Sequence, residues 1–265
     1  MYEEFLEDIA QGNGLREVSP SLKLGAALGA ILLCLLSPGF PGPLAIAALL
    51  SLGILLLARV DPRTYGRLLL APFSFALVSA GAILLLTGAG GAFFSWTPLP
   101  WLSLSITPAG INEGILVLSR MTGGMSALIF LAVTTPMTDL FMVMRRYGVP
   151  EPVLDLAMMI YRSIFTILDQ LVQTYQAQRM RLGYSSFRES LRSFSNLAGS
   201  VFIAGWIAGE DLVRAMDARC YDGRFAVPGG SRLVETRHVL WVVAFLLVSS
   251  AMVVFTRGMT VMPGG

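Results

Sequence analysis

Five stretches of this chain are apolar almost without interruption, roughly residues 22–37, 43–58, 68–87, 111–135 and 239–256. A helix needs about 20 predominantly apolar residues to cross a bilayer. The runs therefore predict an all-α integral membrane protein with about five transmembrane helices. Proline and glycine punctuate them: Ser19-Pro20 precedes the first, "SPGFPGP" closes it, "TGAGG" ends the third and "TTP" the fourth. The first two runs are a little short, which leaves their ends open. Composition agrees. Only 14% of the 265 residues are charged and 55% are hydrophobic, whereas an average soluble domain is about 25% charged. So little charge cannot cover a water-soluble globule of this size.

Positive charge orients the spans, because cytoplasmic loops are enriched in Lys and Arg. Arg16 and Lys23 precede the first span, and Arg59, Arg63 and Arg67 lie between the second and third. Twelve arginines, Arg145 to Arg237, lie between the fourth and fifth, while the turn 37–42 and the loop 88–110 carry no charge. The expected topology puts the N-terminus inside and the C-terminus outside, with only Arg257 on the outer side. Phe93, Phe94, Trp96 and Trp101 in the outer loop suit an interfacial aromatic belt.

The region between spans four and five is patterned for helices. A short helix is expected over 137–147, with Thr135 or Thr138 as its cap. Leu154, Met158, Tyr161, Phe165, Leu168, Val172 and Tyr175 then follow in steps of 4, 3, 4, 3, 4, 3, one face of a long helix. Asp155, Arg162, Thr166, Asp169, Gln173 and Gln176 fall on the opposite side. Gly183 is placed to end this helix as a C-cap residue. A second long helix is expected to present Leu191, Phe194, Ala198, Val201, Gly205, Ala208, Leu212 and Ala215 on one face. Its uncharged middle, 197–208, is too short to span. It is read as packing on the first long helix or lying in the interface.

The two helix ends echo each other. "AQRMRLGYSSF" and "AMDARCYDGRF" start 38 positions apart and match at Ala177/Ala215, Arg181/Arg219 and Phe187/Phe225. The bland account is that a cation near a helix C-terminus gains a few tenths to about 1 kcal/mol from the macrodipole. That does not account for the matching neighbours. A small residue one turn before the Arg leaves room for a partner to approach, and a guanidinium forks to carboxylates or carbonyls. Two matched ends imply two equivalent partners or a symmetric dimer.

These residues resemble the transmembrane T component of energy-coupling factor transporters, nearest the cobalt-type branch called CbiQ. The resemblance rests on Pro20, Lys23 and Leu24 in "NGLREVSPSLKLGAAL" and on "ITPAGINEGILVLSR" ending at Arg120. It rests also on Thr134, Thr135, Asp139 and Leu140 in "TTPMTDLFMVMRRYGVP", and on the two Arg stretches where the family carries Ala-Arg-Gly signatures. It covers about 15–255. The second signature reads Ala218-Arg219-Cys220, and the first Met180-Arg181-Leu182 with Ala177 and Gly183 displaced to either side. Arg179 or Arg181 remains open as the first coupling residue, with the spacing to Phe187 favouring Arg181.

The resemblance implies five regions: a cytoplasmic N-terminal segment 1–21, a four-span membrane domain 22–136, a cytoplasmic coupling-helix region 137–236, a fifth transmembrane helix 237–257 and an extracytoplasmic tail 258–265. It implies ATPase-coupling residues among Ala177, Arg179, Arg181, Gly183, Ala215, Ala218, Arg219, Cys220 and Gly223. The chain is then a non-catalytic subunit in a prokaryotic inner membrane. It would pass ATP-driven movement of two CbiO-like ATPase subunits to a CbiM-like substrate-binding membrane subunit, with a CbiN-like accessory subunit as an option. The substrate implied is cobalt or nickel. ATP and metal would be held by those partners, and this chain would bind no cofactor. The reading kept beside it is a stand-alone membrane transporter or membrane enzyme without an ATPase partner.

What the sequence lacks fits this. There is no GxxxxGK[ST] loop. The single histidine, His238, sits at the inner end of span five and forms no ligand cluster. The thirteen methionines are scattered, as core fillers are. Cys34 and Cys220 form no CxxC pair. The acidic "EEFLED" lacks the basic region of a signal peptide and reads as a solvated tail. The net charge of +2 gives no reason to expect nucleic acid, and membrane lipid is the expected surroundings. Arg120, about ten residues into span four, costs about 2.5–3.5 kcal/mol there. It is therefore expected to face protein and to have a partner.

Overall fold

In the computed structural model, the described residues are 12–86, 94–99, 102–221 and 235–257. They form eight helices and one hairpin: α1 (Pro20–Leu36), α2 (Pro41–Leu56), α3 (Pro62–Leu86), β1 (Phe94–Leu99), β2 (Leu102–Ile106), α4 (Pro108–Thr134), α5 (Met137–Arg146), α6 (Glu151–Met180), α7 (Phe187–Ala218) and α8 (Thr236–Phe255).

The first four helices begin two to six residues ahead of the apolar runs, each on a proline. Proline at the first helical position has φ pre-set and lacks an N–H that would be orphaned anyway, so first turns built on Pro, Gly or polar residues fall ahead of the apolar run. Helices α3, α4 and α8 are long and apolar enough to cross a membrane, whereas α1 and α2, with 17 and 16 residues, fall short. The segment between α3 and α4 holds an antiparallel hairpin, Phe94 opposite Ile106, that the uncharged sequence did not announce. The aromatic belt rests on the side chains of Phe93, Phe94, Trp96 and Trp101, which lie outside those described.

The chain divides into two units, 1–140 with 231–265, and 141–230. In the first, α4 packs against α1, α2 and α3, and α8 against α1 and α2. Its core comprises Ala30 and Cys34 of α1, Ile46 and Leu50 of α2, Ala127 of α4 and Val253 of α8. A second cluster holds Ile54, Ala58, Val60, Tyr65 and Val133. Small residues permit the close approach: a Cβ on Gly123 of α4 would lie 2.5 Å from Cys34 Sγ and 3.0 Å from the Pro43 carbonyl. Leucines face outward instead, among them Leu28, Leu32, Leu35, Leu70, Leu77, Leu240 and Leu247. An apolar exterior of this extent suits lipid, and the protein is a membrane protein.

In the second unit, α6 and α7 are 30 and 32 residues long. Tyr161 makes edge-to-face ring contacts with Phe141 at 6.1 Å and Phe165 at 5.2 Å. The expected apolar face of α6 is half-buried in the middle and exposed towards its end. Asp155, expected on the polar side, is instead buried next to Leu154. The expected face of α7 is also corrected. Leu191 and Phe194 are exposed, and the packed stripe is Leu197, Val201, Ala204 and Gly205. The middle of α7 is apolar all round, so periodicity could not select its buried side. Small residues face α6, and Phe202 and Trp206 point away.

Candidate functional site

The ends of α6 and α7 carry the candidate site. At the end of α6, Arg181 is the C-cap residue with φ −92° and ψ 16°. Leu182 then turns left-handed at φ 58°. The Leu182 amide donates to the Arg179 carbonyl at 3.1 Å and the Gly183 amide to the Gln178 carbonyl at 3.0 Å. This is the paired return of a Schellman motif, which satisfies two otherwise orphaned carbonyls.

The end of α7 repeats this residue for residue. Arg219 is the C-cap with φ −98° and ψ 10°, and Cys220 turns left-handed at φ 53°. The Cys220 amide donates to Asp217 at 3.0 Å and the Tyr221 amide to Met216 at 3.1 Å. Every partner is displaced by the same 38 positions. Arg181 and Arg219 are therefore geometric equivalents, and Arg179 is the equivalent of Asp217. Gly183 is not the residue that turns the chain. It follows the left-handed position, which Leu182 occupies against its steric preference. Gly183 serves close approach instead: Ser193 Oγ donates to its carbonyl at 2.8 Å, and a Cβ there would sit 2.7 Å from that oxygen.

Ala177, Arg179, Arg181, Ala215, Ala218, Arg219 and Cys220 are all exposed, and Gly183 is half-buried. Gly223, Arg224 and Phe225 lie outside the described residues. No side-chain hydrogen bond or ion pair of Arg179, Arg181 or Arg219 occurs among the described residues. By contrast, Arg214 pairs with Glu210 at 3.3 Å and Asp211 at 3.6 Å, and Arg145 with Glu151 at 3.1 Å.

Local contacts surround the end of α6 and the start of α7. Tyr184 donates to Gln178 Oε1 at 2.9 Å, and its ring packs tilted against Tyr175 with centroids 5.1 Å apart. Ser186 caps α7, its hydroxyl accepting from the Glu189 amide at 3.4 Å. The helices meet where a Cβ on Gly205 would lie 3.5 Å from Ile167 Cδ1. Ile167 and Gly205 are again 38 positions apart, and each lies 14 positions before its arginine. At about 1.5 Å per residue both arms reach roughly 21 Å beyond the contact.

Arg120 has the partner expected of it, a backbone one. Its Nε and Nη2 donate to the Ser37 carbonyl at 3.2 and 2.7 Å, at the C-cap of α1. The sequence reading counts Lys23 as an orienting charge ahead of the first span and as part of a motif, but it lies inside α1. Its ammonium is buried and donates to the Thr134 carbonyl at 2.7 Å. Asn13 Nδ2 donates to the carbonyls of Val133 at 3.3 Å and Thr134 at 3.2 Å. An ionisable side chain inside the first apolar helix is a signal of this kind.

His238 Nδ1 lies 3.7 Å from Glu235 Oε2. Among the described residues no three His, Cys, Asp or Glu side chains are grouped to hold a metal ion.

Residues 11–227 match the model of the family described as CbiQ, cobalt transport protein. The chain is 41% identical over 226 residues to a fused cobalt transport protein, CbiMQ, of Methanocorpusculum labreanum; the match covers 85% of this chain and 38% of that protein. It is 27% identical over 211 residues to the cobalt transport protein CbiQ of Rhodobacter capsulatus, covering 78% of this chain and 82% of the other. It is 32% identical over 199 residues to the energy-coupling factor transporter transmembrane protein EcfT of Ruminiclostridium cellulolyticum, covering 70% of each.

Proposed function

The chain belongs to the CbiQ family of cobalt transport proteins, and from that premise we propose that its two matched helix ends seat on the two ATPase subunits of an energy-coupling factor importer. The observation that carries this is the repeated C-terminal turn. Arg181 and Arg219 occupy the same cap position, exposed and unpaired among the described residues, at the ends of arms of equal reach. A long helix transmits force only if its end is held. A guanidinium forks into carboxylates or carbonyls, and truncating one side of such a buried pair leaves the other unmatched at a cost of about 2–5 kcal/mol.

In this reading ATP-driven closure of the ATPase pair moves both ends together. The movement reaches a separate substrate-binding membrane subunit. The fused CbiMQ relative, in whose name CbiM and CbiQ stand together, supports a CbiM-like protein in that role. The cargo is a divalent transition metal, cobalt first and nickel second, captured by that subunit rather than by this chain. ATP is hydrolysed by the CbiO-like ATPases, a CbiN-like accessory subunit completes one version of the complex, and this chain catalyses nothing. The location is a prokaryotic inner membrane with the N-terminus and both helix ends in the cytoplasm, and α1 and α2 cross with α3, α4 and α8.

The test is co-purification of the ATPase together with metal uptake in vesicles. Arg181→Ala and Arg219→Ala should each weaken ATPase association and lower uptake, and the double variant should abolish both while the chain stays folded. Arg→Lys should restore little, because an ammonium lacks the fork. A double variant that retains its ATPase and transports normally would reduce the arginines to helix-end charges. A chain that transports without any ATPase would establish the stand-alone reading instead.

A further inference from the structure

Two motifs singled out in the sequence acquire no role from the helix ends: the Pro20-x-x-Lys23 opening and the Thr134-Thr135 passage. The structure joins them. Lys23, in the first turn of α1, donates to the carbonyl of Thr134, the last residue of α4. Arg120 of α4 donates to the carbonyl of Ser37, which follows the last residue of α1. Lys23 and Ser37 are 14 positions apart, and so are Arg120 and Thr134. At about 1.5 Å per residue, both intervals span roughly 21 Å. Each helix of this antiparallel pair thus supplies the cation that caps the other's C-terminus. Cations are favoured there by the dipole and by otherwise unsatisfied carbonyls.

The capping at α4 is nearly complete. The Val133 and Thr134 carbonyls take Asn13, with Lys23 added at Thr134. The Leu131 carbonyl takes the Thr135 amide at 3.0 Å. Val133, Thr134 and Thr135 are buried. The chain then runs through Pro136 directly into α5.

We propose that Lys23, Asn13 and Arg120 are positioning residues that latch α1 to α4 at both ends, making the Thr134–Thr135 joint a fixed anchor through which movement of the cytoplasmic helices is passed on rather than absorbed. The latch stands on geometry alone. Its part in transmission rests on the function proposed above.

The test measures hydrogen exchange in the last turns of α1 and α4 in the full chain, for Lys23→Met, Arg120→Met, the double variant and Arg120→Lys. Each Met substitution removes one charge-assisted cap and should speed exchange about tenfold at its own end, with little change at the other. Sites this far apart with no shared partner normally act independently. A latch predicts otherwise: the double variant should exceed the product of the singles at both ends. Arg120→Lys should stay near wild type, because one donor suffices where both guanidinium nitrogens reach a single oxygen. Strictly multiplicative effects, or an Arg120→Lys variant as loose as Arg120→Met, would overturn the latch. Should the double variant not fold, the contrast between Lys and Met at position 120 decides it. In vesicles holding the ATPase and the substrate-binding subunit, each Met variant should keep ATP hydrolysis and import at least about threefold fewer ions per ATP. An unchanged ratio with loosened helices would remove the joint from transmission. A chain that recruits no ATPase would overturn the proposed function and leave the exchange arm to decide the latch.

Discussion

Leu182 and Cys220 hold a conformation that usually belongs to glycine. A left-handed backbone costs a residue with a Cβ about 1–2 kcal/mol, and glycine loses about 0.5–1 kcal/mol more entropy on folding. Leu182→Gly and Cys220→Gly should therefore each tighten their helix end by up to about 1 kcal/mol, read as slower exchange of the Gly183 and Tyr221 amides. An unchanged or faster rate would mean that the turn carries no such strain. The same turn puts the third position of each signature, Leu182 and Cys220, at the left-handed residue, where a Gly would carry no Cβ penalty. Arg120 supports a second prediction. Arg120→Ala removes hydrogen bonds to a charged donor, each worth about 1.5–3 kcal/mol. It should lower the melting temperature of the purified chain clearly more than Arg257→Ala, an exposed change expected within about 0.5 kcal/mol. Equal effects would make Arg120 a snorkelling surface charge. The sequence showed that Arg120 needed a partner but not which, because a backbone carbonyl acceptor leaves no mark on residue identity.

Among the elements, packing depends on where small residues sit. Gly123 meets α1 and α2, whereas a Cβ on Gly124 would touch nothing within 4 Å. Gly123→Ala should destabilise the bundle by about 1–3 kcal/mol, the usual cost of overpacking, and Gly124→Ala should not, as a pair of thermal melts would show. Similar melts for both would place the α1–α4 contact elsewhere. Adjacent glycines look alike in sequence and become different only against a neighbour. The helices themselves were legible, because long apolar runs leave no other reading, and so was the 4, 3 rhythm of α6. The buried side of α7 was not, since Leu191, Phe194, Phe202 and Trp206 are equally apolar and only the neighbouring helix chooses among them. Nor was the hairpin Phe94–Ile106, whose segment lacks the charge contrast that would mark faces.

For the whole molecule, the repeat of three matched residues extends to the helix contact at Ile167 and Gly205 and to the three backbone hydrogen bonds that close each helix end. Three identities in eleven positions understate it because backbone geometry, not side-chain identity, is what repeats. The proposed orientation rests on charge alone, and the chain's own cysteines test it, since Cys34 is buried and Cys220 exposed. A membrane-impermeant maleimide should label Cys220 in inside-out vesicles and not in intact cells. Labelling from outside would reverse the topology. The central claim, that both helix ends seat on ATPase subunits, is tested most directly by capture. A maleimide-diazirine probe is placed on Cys220, and in a second chain with Cys220→Ala on Leu182→Cys, and each complex is irradiated. The account predicts that each end captures one ATPase subunit and that a third chain, Leu182→Cys with Cys220 kept and both labelled, captures two. Capture at only one end, or none at either while the ATPase co-purifies, would contradict it.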